Sequence, residues 1–217
     1  PNLLAIQLVA TLAFPALTRA RAEGRDFSVQ LRAAFLLSWT LACAAAVGLW
    51  TGAGPLARLL FGWGRMGPKH VAQVAQWAAW GAWTLLPQAL IAVAVLVLAT
   101  IGRLQVAALA FAAAVAALLA LGAAGLQQGQ QVMMALAGLM ALLAAVLLRS
   151  LGPRALQSLP WREMAIPGAL CVALAYASSF LPAAQPVLVL AVAGLFAAAV
   201  VGASWATSPA LRAALKR

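Results

Sequence analysis

Apolar runs of membrane length dominate the pattern of this chain, and polar residues are confined to short intervals between them. A helix that crosses the ~30 Å hydrocarbon core needs about 20 mostly apolar residues. By this measure the pattern predicts seven membrane spans. They run over Asn2–Leu17, Ala33–Gly52, Trp77–Ile101, Val106–Gly122, Val132–Leu148, Met164–Leu181 and Val187–Ala206.

The intervals between the runs carry turn residues. Gly52 to Pro55 is expected to end the second span, and Pro55–Trp63 is too short to cross a membrane. Its leucines share one helical face with Arg58 off that face, which predicts an amphipathic turn at the membrane surface. Pro87 is expected to kink the third span, because proline removes one backbone hydrogen bond. The remaining connections are predicted at Arg103–Gln105, Gly122–Gly125, Leu151–Arg162 and Pro182–Pro186.

Composition supports a membrane protein with several spans. The chain is 66% hydrophobic and only 8% charged, whereas a soluble domain carries about 25% charged residues. The formal net charge of +11 does not indicate nucleic-acid binding, since the basic residues flank apolar runs instead of following one face. We interpret them as topology signals and contacts to lipid headgroups.

The basic residues divide unequally between the two sides of the predicted topology. Eleven fall on one side, in the segments Arg19–Arg32, Arg103, Arg149–Arg162 and Arg212–Arg217. The other side receives three, namely Arg58, Arg65 and Lys69. By the positive-inside rule the richer side is cytoplasmic. The C-terminus is then cytoplasmic and Pro1 lies at the outer face, so we expect the chain to be a fragment of a longer protein.

The chain offers no set of residues for catalysis or metal binding. It has no nucleophile–base pair, no phosphate-binding loop and no pair of carboxylates, so we predict that it is not an enzyme. His70 stands alone, and we predict no metal and no cofactor. Cys43 and Cys171 lie within apolar runs and are interpreted as buried small residues. Charged residues avoid the span interiors, which argues against ion coupling in this part.

Uncharged polar residues do occur within the spans. We interpret most of them as partners in hydrogen bonds between helices, namely Ser38, Thr40, Thr84, Tyr176, Ser178 and Ser179. Gln7 and Gln88 stand out, because a primary amide is costly to bury without a partner. Small residues, such as Gly48 and Gly52 four positions apart, predict close helix packing.

Three passages resemble the MurJ/MviN lipid II flippases of the multidrug/oligosaccharidyl-lipid/polysaccharide exporter superfamily. The first, from Ala10 to Phe35, reads ATLAFPALTRARAEGRDFSVQLRAAF and is similar to the family's eighth helix and the loop after it. The second, from Ala44 to Met66, contains Pro-Leu-x-x-Leu-Leu-Phe-x-x-Gly and resembles the ninth helix and its outer element. The third, Gly122–Leu126, looks like the entry to the twelfth helix.

The resemblance implies that the seven spans correspond to family helices eight to fourteen. Residues 1–181 would hold the first six, and residues 182–217 the last span with a basic cytoplasmic tail. The implied protein lies in the bacterial inner membrane and moves a polyprenyl-pyrophosphate-linked saccharide by alternating access. Its partners would be that substrate and membrane lipids. The implied lipid-tail groove residues are Leu170, Leu174, Leu195 and Ala198.

Candidate contacts to the substrate are taken from the polar and basic residues of this chain, because none of the family's cavity residues can be carried over to it. Gln7, Thr11 and Gln88 would lie within spans, while Arg19, Arg21 and Arg25 at the cytoplasmic rim would meet pyrophosphate or anionic lipid. The chain departs from the family at Ile101–Ala107, which replaces the motif Gly-Asp-Thr-Arg-Thr-Pro-Val. Two alternatives therefore stay open. The protein could export polysaccharide repeats or drugs, or it could be a membrane scaffold that transports nothing.

Overall fold

All regular structure in the described part of the chain is helical. The computed structural model describes residues 28–125, 128–181 and 185–214. Within these ranges the helices are α1 (Ser28–Phe61), α2 (Pro68–Ala82), α3 (Leu85–Thr100), α4 (Leu104–Ala123), α5 (Gly129–Ser150), α6 (Pro153–Ser158), α7 (Trp161–Ser178), α8 (Pro186–Thr207) and α9 (Pro209–Ala214). The predicted all-α bundle is confirmed.

Four helices are long and apolar enough to cross a membrane, namely α1 over Leu31–Phe61, α4, α5 and α8. Helices α2 and α3 pass the same test as a pair and meet at a bend of 44°. A bend of that size does not reverse the chain, so we interpret the pair as one broken span. The described part is therefore a membrane bundle with four spanning helices, or five when the broken pair is counted.

The predicted number of seven spans is not reached in the described part for two reasons. The first predicted span, Asn2–Leu17, lies outside the described residues. The sixth corresponds to α7, whose 18 residues include Arg162 and Glu163 in the first turn, so this helix is less apolar than the four helices that pass as single spans. Its length of about 27 Å still approaches the thickness of the hydrocarbon core.

Helix α1 corrects the predicted turn at Gly52–Pro55, because it continues unbroken through both residues to Phe61. The predicted surface turn at Pro55–Trp63 is consequently the end of α1. Tertiary packing explains the difference. A Cβ atom on Gly48 or Gly52 would lie 3.5–3.7 Å from atoms of α8, so α8 packs closely on this stretch. That packing stabilises the helix against its weak local propensity.

The break between α2 and α3 corrects the predicted third span. The helix begins at Pro68 instead of Trp77, and the bend falls at Trp83 and Thr84 instead of at Pro87. The displacement has a simple cause. Proline lacks the N–H that would bond to the carbonyl four residues earlier, which belongs to Trp83. Pro87 itself lies in the first turn of α3, where proline is well tolerated.

Helix α1 lies at the centre of the bundle and contacts α2, α3, α7, α8 and α9. One buried cluster joins its first half to α3, α4 and α5 around Phe35. A second joins its middle to α3, α7 and α8, and contains both cysteines. Cys43 and Cys171 are buried free thiols, as their apolar setting predicts, and the structure also brings them into contact with each other. Helix α4 lies outermost, packed on α5 and α3.

Side-chain contacts define two ends of the bundle. At the first end, where α1 begins, Arg32 pairs with Glu163 of α7, and Arg103 donates to the backbone carbonyl of Ser150. At the second end, Gln76 of α2 donates to Gln130 of α5. Consecutive spans therefore run in opposite directions, as the predicted alternation of loops requires. Arg58, Arg65 and Lys69 all fall at the second end.

Candidate functional site: a polar break in a membrane helix

The break between α2 and α3 lies inside the membrane-crossing pair, about 10 Å from the level of Gln76 and Gln130 at the second end. Helix α2 has 15 residues and α3 has 16, so each outer end is roughly 22–24 Å from the break. The Trp83 N–H bonds back to Trp80 and Gly81. Since Pro87 cannot donate to the Trp83 carbonyl, helical hydrogen bonding is interrupted at this depth. Such interruptions are tolerated in membranes only where protein or a cavity surrounds them.

Two side chains supply polar groups at the break. The Thr84 hydroxyl is buried and donates to the carbonyl of Gly81 at 2.7 Å. The Gln88 amide, one turn later, donates through Nε2 to Thr84 Oγ1 at 3.3 Å. Gln88 is half-buried. The residue singled out as a candidate substrate contact therefore lies directly at the break, where its amide extends a chain of uncharged hydrogen bonds.

Helix α1 is joined to α3 just beyond the break. The buried Ser38 hydroxyl donates to the Ala89 carbonyl at 3.2 Å. This is an interhelical hydrogen bond of the kind predicted for polar residues in spans. Other candidates for such bonds differ from the prediction. Thr84, Ser178 and Ser179 donate to carbonyls within their own helix or turn.

Three indole rings pack together beside the break, on the side of α2. Trp50 of α1 packs edge-on against Trp80, with ring centroids 5.5 Å apart and planes at 90°. It also contacts Trp83 at 5.5 Å with planes tilted by 59°. Aromatic pairs in these arrangements attract one another beyond simple area burial. The rings therefore hold the last turn of α2 against α1 while α3 continues in a different direction.

Two hydroxyls of α1 have no hydrogen-bond partner among the described residues. They belong to Thr40 and Thr51, which are 3% and 9% exposed. The two positions are eleven residues apart, which is about three helical turns, so they share one stripe of α1. Buried hydroxyls usually have partners. Thr40 was expected to bond between helices, and the described residues provide no such bond.

A second polar cluster lies at the first end. Glu163 accepts from Arg32 at 3.1 Å and from the Ser208 hydroxyl at 2.5 Å. Ser208 in turn accepts from the backbone N–H of Leu211 at the start of α9. One carboxylate thus connects α1, α7 and the junction of α8 with α9. The sequence analysis did not single out Glu163 as a link between helices. The feature that could have identified it is that it is a single acidic residue close to several basic loop residues.

The structure describes only some of the predicted site residues. Those outside the described part are Gln7, Thr11, Arg19, Arg21 and Arg25. Of the predicted tail groove, Leu170 and Leu174 are half-buried against the cluster around the two cysteines. Leu195 and Ala198 instead face outward from α8. The four groove residues are therefore divided between an inner and an outer surface, and the groove stays a prediction.

Most of the outer surface of the bundle is aliphatic. Helix α4 exposes Leu109 and Leu119 to more than two thirds of their area, and α8 does the same with Leu195. Large apolar side chains would be costly in water at such density, and they are the expected surface toward lipid tails. The bundle thus combines a lipid-facing exterior with an uncharged polar break inside.

Known proteins provide no further identification. Comparison of the chain with models of protein families, with characterised proteins and with solved structures finds no match.

Proposed function

We propose that this chain is part of a flippase for lipid-linked saccharides, with lipid II as the substrate expected from the motif resemblance. The observation that carries the proposal is the uncharged helix break beside α1. Transporters commonly build their substrate sites at interrupted membrane helices. In this proposal Thr84 and Gln88 contact the polar headgroup while the hydrocarbon tail stays in lipid.

The chemistry of the break supports a neutral polar cargo. A hydroxyl and a primary amide can both donate to and accept from sugar hydroxyls and peptide amides. The interiors of the described spanning helices hold no Asp, Glu, Lys or Arg, so this part has none of the groups that usually bind coupling ions. The aliphatic exterior of α4 and α8 supports passage of a polyprenyl tail along the bundle surface.

Two alternative functions have their own supporting features. An exporter of polysaccharide repeats or drugs from the same superfamily would share the alternation of spans, and carboxylates in any sequence that precedes Pro1 would favour it. A scaffold that transports nothing is favoured by the departure from the family motif at Ile101–Ala107. Such a scaffold would tolerate substitutions at Gln88 without loss of function.

Genetic rescue tests the proposal. The protein, expressed with whatever sequence precedes Pro1 in its gene, should restore growth when a bacterial lipid II flippase is depleted. Gln88→Leu should lower the rate of lipid II translocation roughly tenfold, since one hydrogen bond to the headgroup is lost. Gln105→Leu, at an exposed position in the first turn of α4, is the matched control. Correct membrane insertion without rescue would exclude the lipid II flippase function.

The arginines at the predicted cytoplasmic rim allow a separate test. Changing Arg19, Arg21 and Arg25 together to glutamine should weaken rescue if they meet the pyrophosphate, while insertion and abundance are monitored in the same cells. Full rescue by this variant would show that these residues serve topology or are dispensable. It would leave the role of the helix break unaffected.

A further inference from the structure

The connection between α1 and α2 forms a projecting tip, which we define as residues 58–70. Gly52 of α1 lies beside Leu190 and Ala193, close to the start of α8. Gln76 of α2 lies beside Gln130, in the first turn of α5. The last turn of α1 and the first two turns of α2 therefore extend past the level at which α5 and α8 begin. The projection is on the order of 10 Å.

The tip exposes large apolar side chains. Trp63 is 88% exposed and Leu60 is 69% exposed, and Leu59, Phe61 and Met66 are also on the surface. Such a density of exposed apolar residues marks an interaction surface on a projection that leaves the hydrocarbon core. Tryptophan favours the headgroup level of a bilayer, where its ring is partly buried and its N–H stays hydrated.

The tip also carries uncompensated positive charge. Arg58, Arg65 and Lys69 are all exposed, and the described part of the tip contains no carboxylate. Lys69 lies in the first turn of α2, where the helix dipole disfavours a cation. Within the described residues the single acidic side chain is Glu163, which pairs with Arg32 at the opposite end. These charges therefore have no explanation within the described part of the bundle.

The turn that presents these groups has a defined backbone. The Gly62 N–H bonds to the Arg58 carbonyl at 2.8 Å and closes α1. A Cβ atom on Gly62 would lie 2.3 Å from that same carbonyl oxygen, so the turn requires glycine. Trp63 and Arg65 follow directly after this turn, beyond the end of α1.

We propose that this tip docks on anionic phospholipid headgroups at the surface of the bilayer that the bundle spans. Trp63 and Leu60 insert at headgroup level, and Arg58, Arg65 and Lys69 contact lipid phosphates. The charge selects anionic lipid over zwitterionic lipid, because each basic residue near such a surface favours binding roughly fivefold. This inference does not depend on the proposed flippase function.

Quenching by brominated lipids tests the proposal. The protein is placed in nanodiscs that contain phosphatidylcholine and phosphatidylglycerol, with bromine on only one of the two lipids at equal mole fraction. The Trp63 signal is the difference between the parent and Trp63→Phe. We expect brominated phosphatidylglycerol to quench this signal at least twice as strongly as brominated phosphatidylcholine. Raising the salt to 0.5 M should reduce the preference, since exposed charges are screened.

Substitutions identify the groups responsible. Arg58→Gln, Arg65→Gln and Lys69→Gln together should abolish the lipid preference, whereas Arg149→Gln at the first end should leave it unchanged. Equal quenching by the two lipids would overturn the selectivity for anionic headgroups. Absence of lipid quenching, with Trp63 accessible to aqueous acrylamide or shielded by a second protein copy, would overturn docking on lipid. The salt titration uses the unaltered chain, so misfolding of a variant does not affect it.

Discussion

At the scale of single residues, Glu163 and Gly129 show how little local sequence reveals about tertiary roles. Glu163 receives hydrogen bonds from Arg32 and Ser208, and so connects three parts of the first end. Gly129 lies directly beneath the indole of Trp77, and a Cβ atom there would be 2.1 Å from Trp77 Nε1. Neither contact has a sequence motif, because each joins residues far apart in the chain.

Replacing Glu163 with glutamine should destabilise the bundle. Glu163→Gln removes the ion pair and weakens the bond from Ser208, while side-chain volume is kept. Arg32 is about half exposed, so the expected loss is only about 1 kcal/mol after solvent screening. Reversible unfolding in detergent measures it, with exposed Arg162→Gln as control. A double-mutant cycle with Arg32→Gln that gives zero coupling energy would show that the pair contributes nothing.

Adding a methyl group at Gly129 should disturb the contact between α2 and α5. Gly129→Ala forces the Trp77 ring to move, and overpacking of this kind costs about 1–3 kcal/mol. Gly138→Ala, in the same helix with nothing within 4 Å of its new methyl, should be neutral or slightly stabilising. Both values come from the same unfolding measurement. Equal stability of the two variants would show that Trp77 relocates without cost.

At the scale of elements, the broken pair α2–α3 is the feature that links fold to proposed function. One missing N–H at Pro87 interrupts the helix at Trp83, and Thr84 and Gln88 provide hydrogen bonds there. Ser38 joins α3 to α1 immediately after the break. The element therefore has two rigid halves with a polar joint, and α1 supports both.

Restoring the missing donor should straighten the pair. Pro87→Ala supplies the N–H for the Trp83 carbonyl, and a smaller bend than 44° is expected from spin-label distances between α2 and α3. Stability should rise or stay unchanged, whereas rescue of a depleted flippase should fall at least tenfold. Pro55→Ala, within the unbroken α1, is the matched control. Unimpaired rescue with a straightened helix would show that the break is not required for transport.

At the scale of the whole molecule, the other helices surround α1, and the two ends of the bundle carry different sets of charged residues. The first end holds Arg32, Arg103, Arg149 and Arg212, together with the carboxylate of Glu163. The second end holds the three basic residues of the tip. The order of the helices along the chain and the contacts at each end give the same assignment of these basic residues to the two ends. The positive-inside rule then predicts that the first end faces the cytoplasm.

Site-specific labelling tests this orientation. Single cysteines at Arg154 and Arg212 should react with an impermeant maleimide only from the cytoplasmic side, and one at Arg65 only from the other. Background reaction should be small, since Cys43 and Cys171 are buried. Labelling of positions 154 and 212 from opposite faces would contradict both the orientation and the alternation of spans.

Sequence alone determined the class of the molecule and the approximate course of its chain. Long apolar runs have no soluble alternative, so the helical membrane bundle and most connections could be predicted. The connections predicted at Arg103–Gln105 and Gly122–Gly125 lie close to the observed turns, which contain Gly102 and Gly125, each with a positive φ that other residues avoid. Gln88 was singled out by the cost of burying an amide, and it does lie at the break.

Tertiary packing alone decided which of the turns and bends indicated by the local sequence are formed. The glycines and proline at positions 52–55 resemble a turn, yet close packing of α8 keeps α1 helical there. The bend near Pro87 lies four residues earlier, where the missing hydrogen bond falls. The roles of Glu163 and of the projecting tip depend on which helix ends meet. Such contacts follow from packing in three dimensions, and hydrophobic periodicity along the chain carries no information about them.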